Sequence, residues 1–379
     1  MRFTALLIAV FCINYSFSQA TYKTLDSNIL GRNCSLKILL PRGYKDNIEK
    51  TYPLILVLDG DYLFEPFSGA VDYLSYWDEI PEAIVVGIRH GKNRSADFMI
   101  SEQNSLPIET GGRFFEFVSN ELVGFLNKNY RLSGFNIIAG HGDSANFINY
   151  YLLRNKSVFN AYISVSPKFA PNMVEYLSEV IEKTEEDFYY VLGKAEDDQV
   201  SISENTEKLF MTFNNRSYNK FLKITPTNTS YYTAAPLVAP QALNYIFKQY
   251  KPISKEEYKT EILTLTTSPV QYLKDKYEGI LNIYGVKKRV LLNDIKAVAA
   301  AIGKTDKFED YEALSKVVKK NYPETVLGTY YLAKYYEEKG EPKKAMRTYM
   351  SGFDLSPFGG VDSDLLMEKA EAIKIDFGY

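Results

Sequence analysis

Residues 136–153, NIIAGHGDSANFINYYLL, run from an apolar stretch through a glycine-rich turn into an amphipathic one. The first five residues suit a strand covered on both faces, and Asn146 to Leu153 repeat at helical spacing. Four more apolar runs flank this segment: 53–58 (PLILVL), 83–88 (AIVVGI), 161–165 (AYISV) and 188–192 (FYYVL). Residues 35–40 (SLKILL) alternate like a half-buried strand. Between the runs, 112–129 carries Phe114, Phe115, Val118, Leu122, Phe125 and Leu126 at helical intervals. Apolar strands alternating with helices predict an α/β fold with a mostly parallel sheet wrapped by helices.

Composition narrows the function. The chain has 379 residues, 46% hydrophobic and 24% charged, with a net charge of −3. That hydrophobic share excludes wholesale disorder, and near neutrality gives no electrostatic footprint for nucleic acid. Residues 1–18 read as a secretion signal: Arg2, an apolar stretch from Phe3 to Ile13, then Ser16 and Ser18 spaced for cleavage before Gln19. The expectation is export, to the periplasm, the outer membrane or the medium, with no membrane span after cleavage. Cys12 leaves with the signal, so Cys34 has no partner for an internal disulfide. No metal or cofactor is expected. Only His90 and His141 are available for histidine chemistry.

Strand signals fade after Tyr250, which sets the expected boundaries at 1–18 for the signal, 19–252 for the α/β domain and 253–379 for a helical domain. Within the latter, residues 326–357 (VLGTYYLAKYYEEKGEPKKAMRTYMSGFDLSP) fit one tetratricopeptide unit. Leu332, Ala333 and Tyr336 are expected on the inner face of its first helix, Gly340 closes that helix, and Ala345 and Tyr349 belong to the second. The region either docks on the main domain or leaves an open peptide groove.

Residues 36–247 resemble the esterase family that holds esterase D and the trilactone-siderophore esterases, within the α/β-hydrolase superfamily. The likeness rests on Leu40-Pro41-Arg42-Gly43-Tyr44, Leu58-Asp59-Gly60-Asp61, Ile80-Pro81 before Val85 to Ile88, and Asn93-Arg94 with Asp97. It continues through Asn129-Tyr130-Arg131, Ala139-Gly140-His141, Phe159 to Ile163 and Ser166-Pro167. The resemblance implies a nucleophile elbow at 140–145, and the family's serine then falls on Gly142. The family's histidine falls on Tyr231, whose phenol titrates near 10 and is a poor general base at neutral pH. Asp198 is the nearest match to the acid. The oxyanion-hole elements are expected in the amides near Gly60 and Asp61 and in that of Asp143. His141 is expected to pack at the elbow, with His90 and Arg94 lining the cleft.

Loss of both nucleophile and base predicts a pseudoenzyme, an esterase scaffold kept for binding or assembly. The expected partners are a protein, held by the helical repeats or the old cleft, or a small ester-like ligand. The opposing reading is a working carboxylic ester hydrolase with a relocated nucleophile, Ser144 or Ser166, and His90 as surrogate base. Ser144 better suits a hydrogen bond at a helix N-terminus. Ser166 matches a structural position after a strand.

Overall fold

The computed structural model describes residues 20–154, 156–184, 187–215 and 220–379, and the expected signal segment lies outside them. Eight strands form the sheet among those residues: β1 (Ala20–Ser27), β2 (Arg32–Leu39), β3 (Tyr52–Val57), β4 (Ile84–Arg89), β5 (Leu132–His141), β6 (Ala161–Val165), β7 (Tyr189–Gly193) and β8 (Phe221–Ile224). Their order is β1-β2-β4-β3-β5-β6-β7-β8. Pairing is parallel from β4 through β8, while β1 and β2 are antiparallel additions at one side.

The α/β unit holds α1 (Phe64–Tyr76), α2 (Arg94–Asp97), α3 (Glu109–Glu116), α4 (Val123–Asn129), α5 (Asp143–Phe147), α6 (Asn149–Leu152), α7 (Met173–Lys183), α8 (Val200–Asn215) and α9 (Ala234–Ile246). The helix expected over 112–129 is α3 and α4 joined by a π-wound turn, Phe117–Leu122. Alternation along each strand sorts the core into two layers. Leu54, Leu56, Val86, Ile138 and Tyr190 point to the side covered by Phe114, Phe117, Phe147 and Leu177. Ile55, Val57, Val85, Ile137 and Val191 point to the side covered by Phe64, Phe67, Val238 and Leu243. Being apolar on both faces, these central strands were legible in the sequence. Neither β1 nor β8 was: β1 is an edge strand with largely exposed side chains, and β8 has only four residues at the other edge.

The remaining helices are α10 (Lys255–Thr260), α11 (Pro269–Tyr284), α12 (Leu292–Lys304), α13 (Asp310–Asn321), α14 (Val326–Glu338), α15 (Pro342–Met350) and α16 (Ser363–Phe377). From α13 onward each packs on the next around a third core. Ala333 lies on the inner face of α14 as expected, with Leu327, Tyr331 and Tyr335; Leu332 and Tyr336 are half-buried and pack against the same core from its margin. The open alternative for this region is resolved at its start. Ile280 and Tyr284 of α11 enter the second layer of the α/β core, and Tyr284 packs against Phe135 and Phe247. No described helix is long and apolar enough to cross a membrane.

Candidate active site

Three neighbouring parallel strands end in residues with left-handed backbone: Asp59 after β3, Gly142 after β5 and Ser166 after β6, at φ of +58°, +65° and +42°. Such angles cost about 1–3 kcal/mol for residues other than glycine and cluster where a fold aims groups into a site. Gly142 (ψ −116°) forms the sharp bend between β5 and α5. Its N–H is held by the Val165 carbonyl at 3.0 Å, and its own carbonyl starts α5 by accepting from Asn146. The bend that an elbow requires is therefore kept, with no side chain on it.

The space a side chain would occupy is filled. A Cβ built on Gly142 would lie 2.0 Å from the Tyr231 hydroxyl. Tyr231 follows the loop after β8 and its ring rests 4.3 Å, centroid to centroid, from His141, with Lys168 Nζ 5.1 Å from its centre. Burial, reinforced by Asp143, pushes its phenol up to about 12, so it carries its proton at neutral pH. Asp198 sits on the adjoining loop, which is laid against 229–230 by Asp197 N–H donating to the Thr229 carbonyl. Its Oδ2 accepts from Ser166 Oγ (2.8 Å) and Ala195 N–H (2.7 Å). Its Oδ1 is buried without a hydrogen-bond partner among the described residues. Of the three positions that the resemblance singles out, 142 and 231 meet as glycine and phenol, and the Asp198 carboxylate lies near enough to act on the Tyr231 phenol.

Ser144 is fully buried and turned back on the strand. Its Oγ donates to the His141 carbonyl (3.0 Å) and accepts from the His141 N–H (2.8 Å). Both uses of the hydroxyl are satisfied within the bend, and no imidazole nitrogen bonds to it. Ser166 is likewise buried and bonded to Asp198.

Arg94 organises the opposite wall. It binds the buried Asp59 through two bonds, Nε–Oδ1 2.6 Å and Nη2–Oδ2 2.9 Å, and reaches Asp143 Oδ2 with Nη1 at 2.8 Å. Those bonds, Asp59 first, raise its pKa further. The carboxylate of Asp143, beside the expected oxyanion amide, is thus paired rather than free. Next to it the Tyr62 hydroxyl lies 3.1 Å from His141 Nδ1, and His141 Nε2 lies 2.9 Å from the Tyr231 carbonyl. A carbonyl only accepts, so Nε2 carries the proton; Nδ1 of the neutral ring is an acceptor facing the Tyr62 hydroxyl, whose one proton is also within reach of Asp59 Oδ2 at 3.3 Å. Burial holds the His141 pKa below its ordinary value, in keeping with a neutral ring.

Two expectations are corrected. The Gly60 N–H donates to the Ile88 carbonyl at 2.7 Å, tying β3's end to β4, and is unavailable to an oxyanion. The expectation for the Asp61 amide is not affected: the Asp61 carboxylate, not its amide, holds the His90 and Gly91 amides and Arg89 and closes a loop. His90 does not line the cleft. It is buried against Phe98 and Phe114, with Nδ1 2.8 Å from Asp97. An isolated histidine after a strand gives no sign of which way it turns. Sequence reasoning also passed over Asp59 and Tyr62 as site residues, although Asp59 belongs to the Leu58-Asp59-Gly60-Asp61 motif.

Comparison with known proteins follows the same lines. The crystal structure of an uncharacterised protein from Capnocytophaga ochracea matches with a TM-score of 0.85 at 30% identity, covering 94% of this chain and 100% of that one. An IroE-like serine hydrolase from Shewanella oneidensis matches with a TM-score of 0.59 at 18% identity, over 79% of this chain and 98% of its own. The BES protein from Bacillus cereus does so with 0.53 at 20% identity, over 60% and 94%. No curated protein matches. With the family model described as "Putative esterase" matching residues 27–256, and with this sheet order and elbow, the chain belongs to that esterase family of the α/β-hydrolase superfamily.

Proposed function

We propose that this chain is an exported, catalytically silent esterase homologue that serves as a binding or scaffold subunit of a cell-envelope or secreted assembly. One observation carries the reading: the Tyr231 hydroxyl stands where a nucleophile's Cβ would be. Serine and histidine are absent together, and their replacements fit one another as a packed pair. The fully engaged Ser144 hydroxyl speaks against a relocated nucleophile at the bend. Export rests on the composition of residues 1–18. A partner held by the old cleft or by α13 to α16 would meet the surfaces that the fold still maintains.

The test treats the purified chain with a fluorophosphonate probe and short-chain aryl esters, beside the double variant Gly142→Ser, Tyr231→His. The unmodified chain is expected to take up no label and release no product. Covalent label on Ser144 or Ser166 of the unmodified chain would overturn the proposal. Label at residue 142 of the double variant would show that the remaining geometry is still that of an esterase. For the repeats, the relevant comparison is a chain ending after Lys287. If it retained every partner of the full chain, the repeats would drop out of the proposal.

A further inference from the structure

The chain's single tryptophan is not in the core. Trp77 follows the last residue of α1 and is 62% exposed, in company with Tyr73 (66%), Tyr76 (63%) and Tyr22 of β1 (61%). Burying a large apolar side chain is worth roughly 1.5–3 kcal/mol, so leaving several outside on one face is a departure from what stability alone selects. Tyr76 and Trp77 meet edge to face with ring centres 5.2 Å apart.

Tyr22, Tyr76 and Trp77 border one continuous surface. Arg42 lies 5.4 Å over the Tyr76 ring and forks onto Asp72 at 2.8 and 2.6 Å. Asp72 in turn lines a groove of about 420 Å³ together with Tyr22, Lys37, Glu65 and Ser68. Lys37 pairs with Glu65 across that groove and also lies over the Tyr22 ring. At a rise of 1.5 Å per residue, the strip from Glu65 to Trp77 is about 18 Å long.

We infer that this face binds a neutral oligosaccharide. The strongly exposed apolar side chains here are all aromatic, so the face presents rings to the C–H groups of a sugar rather than aliphatic groups, and Arg42 over Tyr76 with Lys37 and Arg89 over Tyr22 set hydrogen-bond donors beside them. Between them lie carboxylates, a guanidinium and a hydroxyl suited to sugar hydroxyls. The charges occur as opposite pairs, Arg42 with Asp72 and Lys37 with Glu65, so the strip has no net attraction for an ionic partner. Lys37, Glu65, Ser68 and Asp72, of types depleted at the cores of protein–protein interfaces, line the groove beside Leu39 and Phe64. The inference is independent of whether residue 142 can catalyse anything.

Trp77 supplies its own readout, because no other tryptophan contributes to emission. The purified chain would be titrated with cellohexaose, xylohexaose, maltohexaose and chitohexaose, following tryptophan fluorescence and calorimetric heat. At least one is expected to shift the emission saturably, with an affinity insensitive to salt. Tyr76→Ala should weaken that binding about tenfold, while Trp77→Phe should abolish the optical signal and keep most of the heat. Both side chains are exposed, so melting temperatures should stay close to that of the unmodified chain. The inference fails if no hexasaccharide alters emission or heat, or if Tyr76→Ala leaves affinity unchanged. It also fails if binding collapses with salt as for a polyion. A photo-crosslinker at position 77 that captures a protein in the absence of glycan binding would reassign the face to a protein partner and overturn it as well.

Discussion

Gly142 and Tyr231 constrain each other, so neither substitution should be judged alone. A serine at 142 would have to hold φ near +65° and move the Tyr231 hydroxyl, which lies 2.0 Å from its Cβ. Gly142→Ser is therefore expected to lower stability by about 1–3 kcal/mol in urea unfolding, and Tyr231→His in the same chain should recover part of it. Arg94 is the other critical residue. Removing it leaves Asp59, 1% exposed, as an uncompensated buried charge. Arg94 is itself one-third exposed, so the loss from Arg94→Ala is set below that of a fully buried pair, at about 2–3 kcal/mol. Adding Asp59→Asn should restore part of it; no restoration would mean that the pair is not the source of the cost. His141 gives a pH dependence. Its folded pKa lies below the ordinary value of 6.5, so the unfolded chain binds the proton first as pH falls. Its contribution is fully present above about pH 6.5 and is lost as pH drops through the folded value. His141→Gln, which can still donate to the Tyr231 carbonyl, should flatten the melting temperature between pH 7 and about pH 5. An unchanged slope would assign it to other groups.

At the level of elements, α5 and α11 show why a helix can be recognised in sequence while its task is not. The N-terminus of α5 was legible from Gly140, Gly142 and Ser144, because a tight turn and a small hydroxyl residue are what a strand-to-helix bend demands. That Ser144 would bond both backbone groups of His141 depends on how close the strand end comes to the helix start, a distance sequence does not encode. For α11, the sequence offered only a helical domain beyond residue 252; Gly285, left-handed at its C-terminus, closes it in the structure. Only the fold reveals that its last turn covers the α/β core. Tyr284 is wholly buried and its hydroxyl donates to the Ile246 carbonyl at 2.7 Å. Gly285 has φ of +63°, and a Cβ there would lie 2.2 Å from the Ser133 carbonyl oxygen, a backbone atom that cannot swing aside. Tyr284→Ala should cost about 3–5 kcal/mol. Gly285→Ala should destabilise the chain to a smaller but measurable extent in the same thermal melts; full stability would show that α11 does not seat as described.

Across the whole molecule, these contacts bear on where the chain can be cut. Truncation after residue 252 strips Ile280, Tyr284 and Val286 from the second core layer and uncovers Phe135 and Phe247. Lys288, whose Nζ lies 2.9 Å from Asp78 and 2.7 Å from the Tyr250 carbonyl, is lost from a chain cut at either 252 or 287, so the core residues of α11 and Val286 are what separate the two. A chain ending at 252 is expected to aggregate, whereas one ending after Lys287 should remain monomeric with a cooperative melt; size-exclusion chromatography and circular dichroism decide between them. Sequence alone determined the layered α/β architecture, the five central strands and the glycine at the elbow. It did so because strands buried on both faces must be apolar along their length, and a family motif fixes its own register. The tertiary structure decided what lies opposite that glycine, which way His90 and Ser144 turn, and where the helical region meets the sheet. These depend on distances between residues tens to hundreds of positions apart, and local periodicity says nothing about such distances.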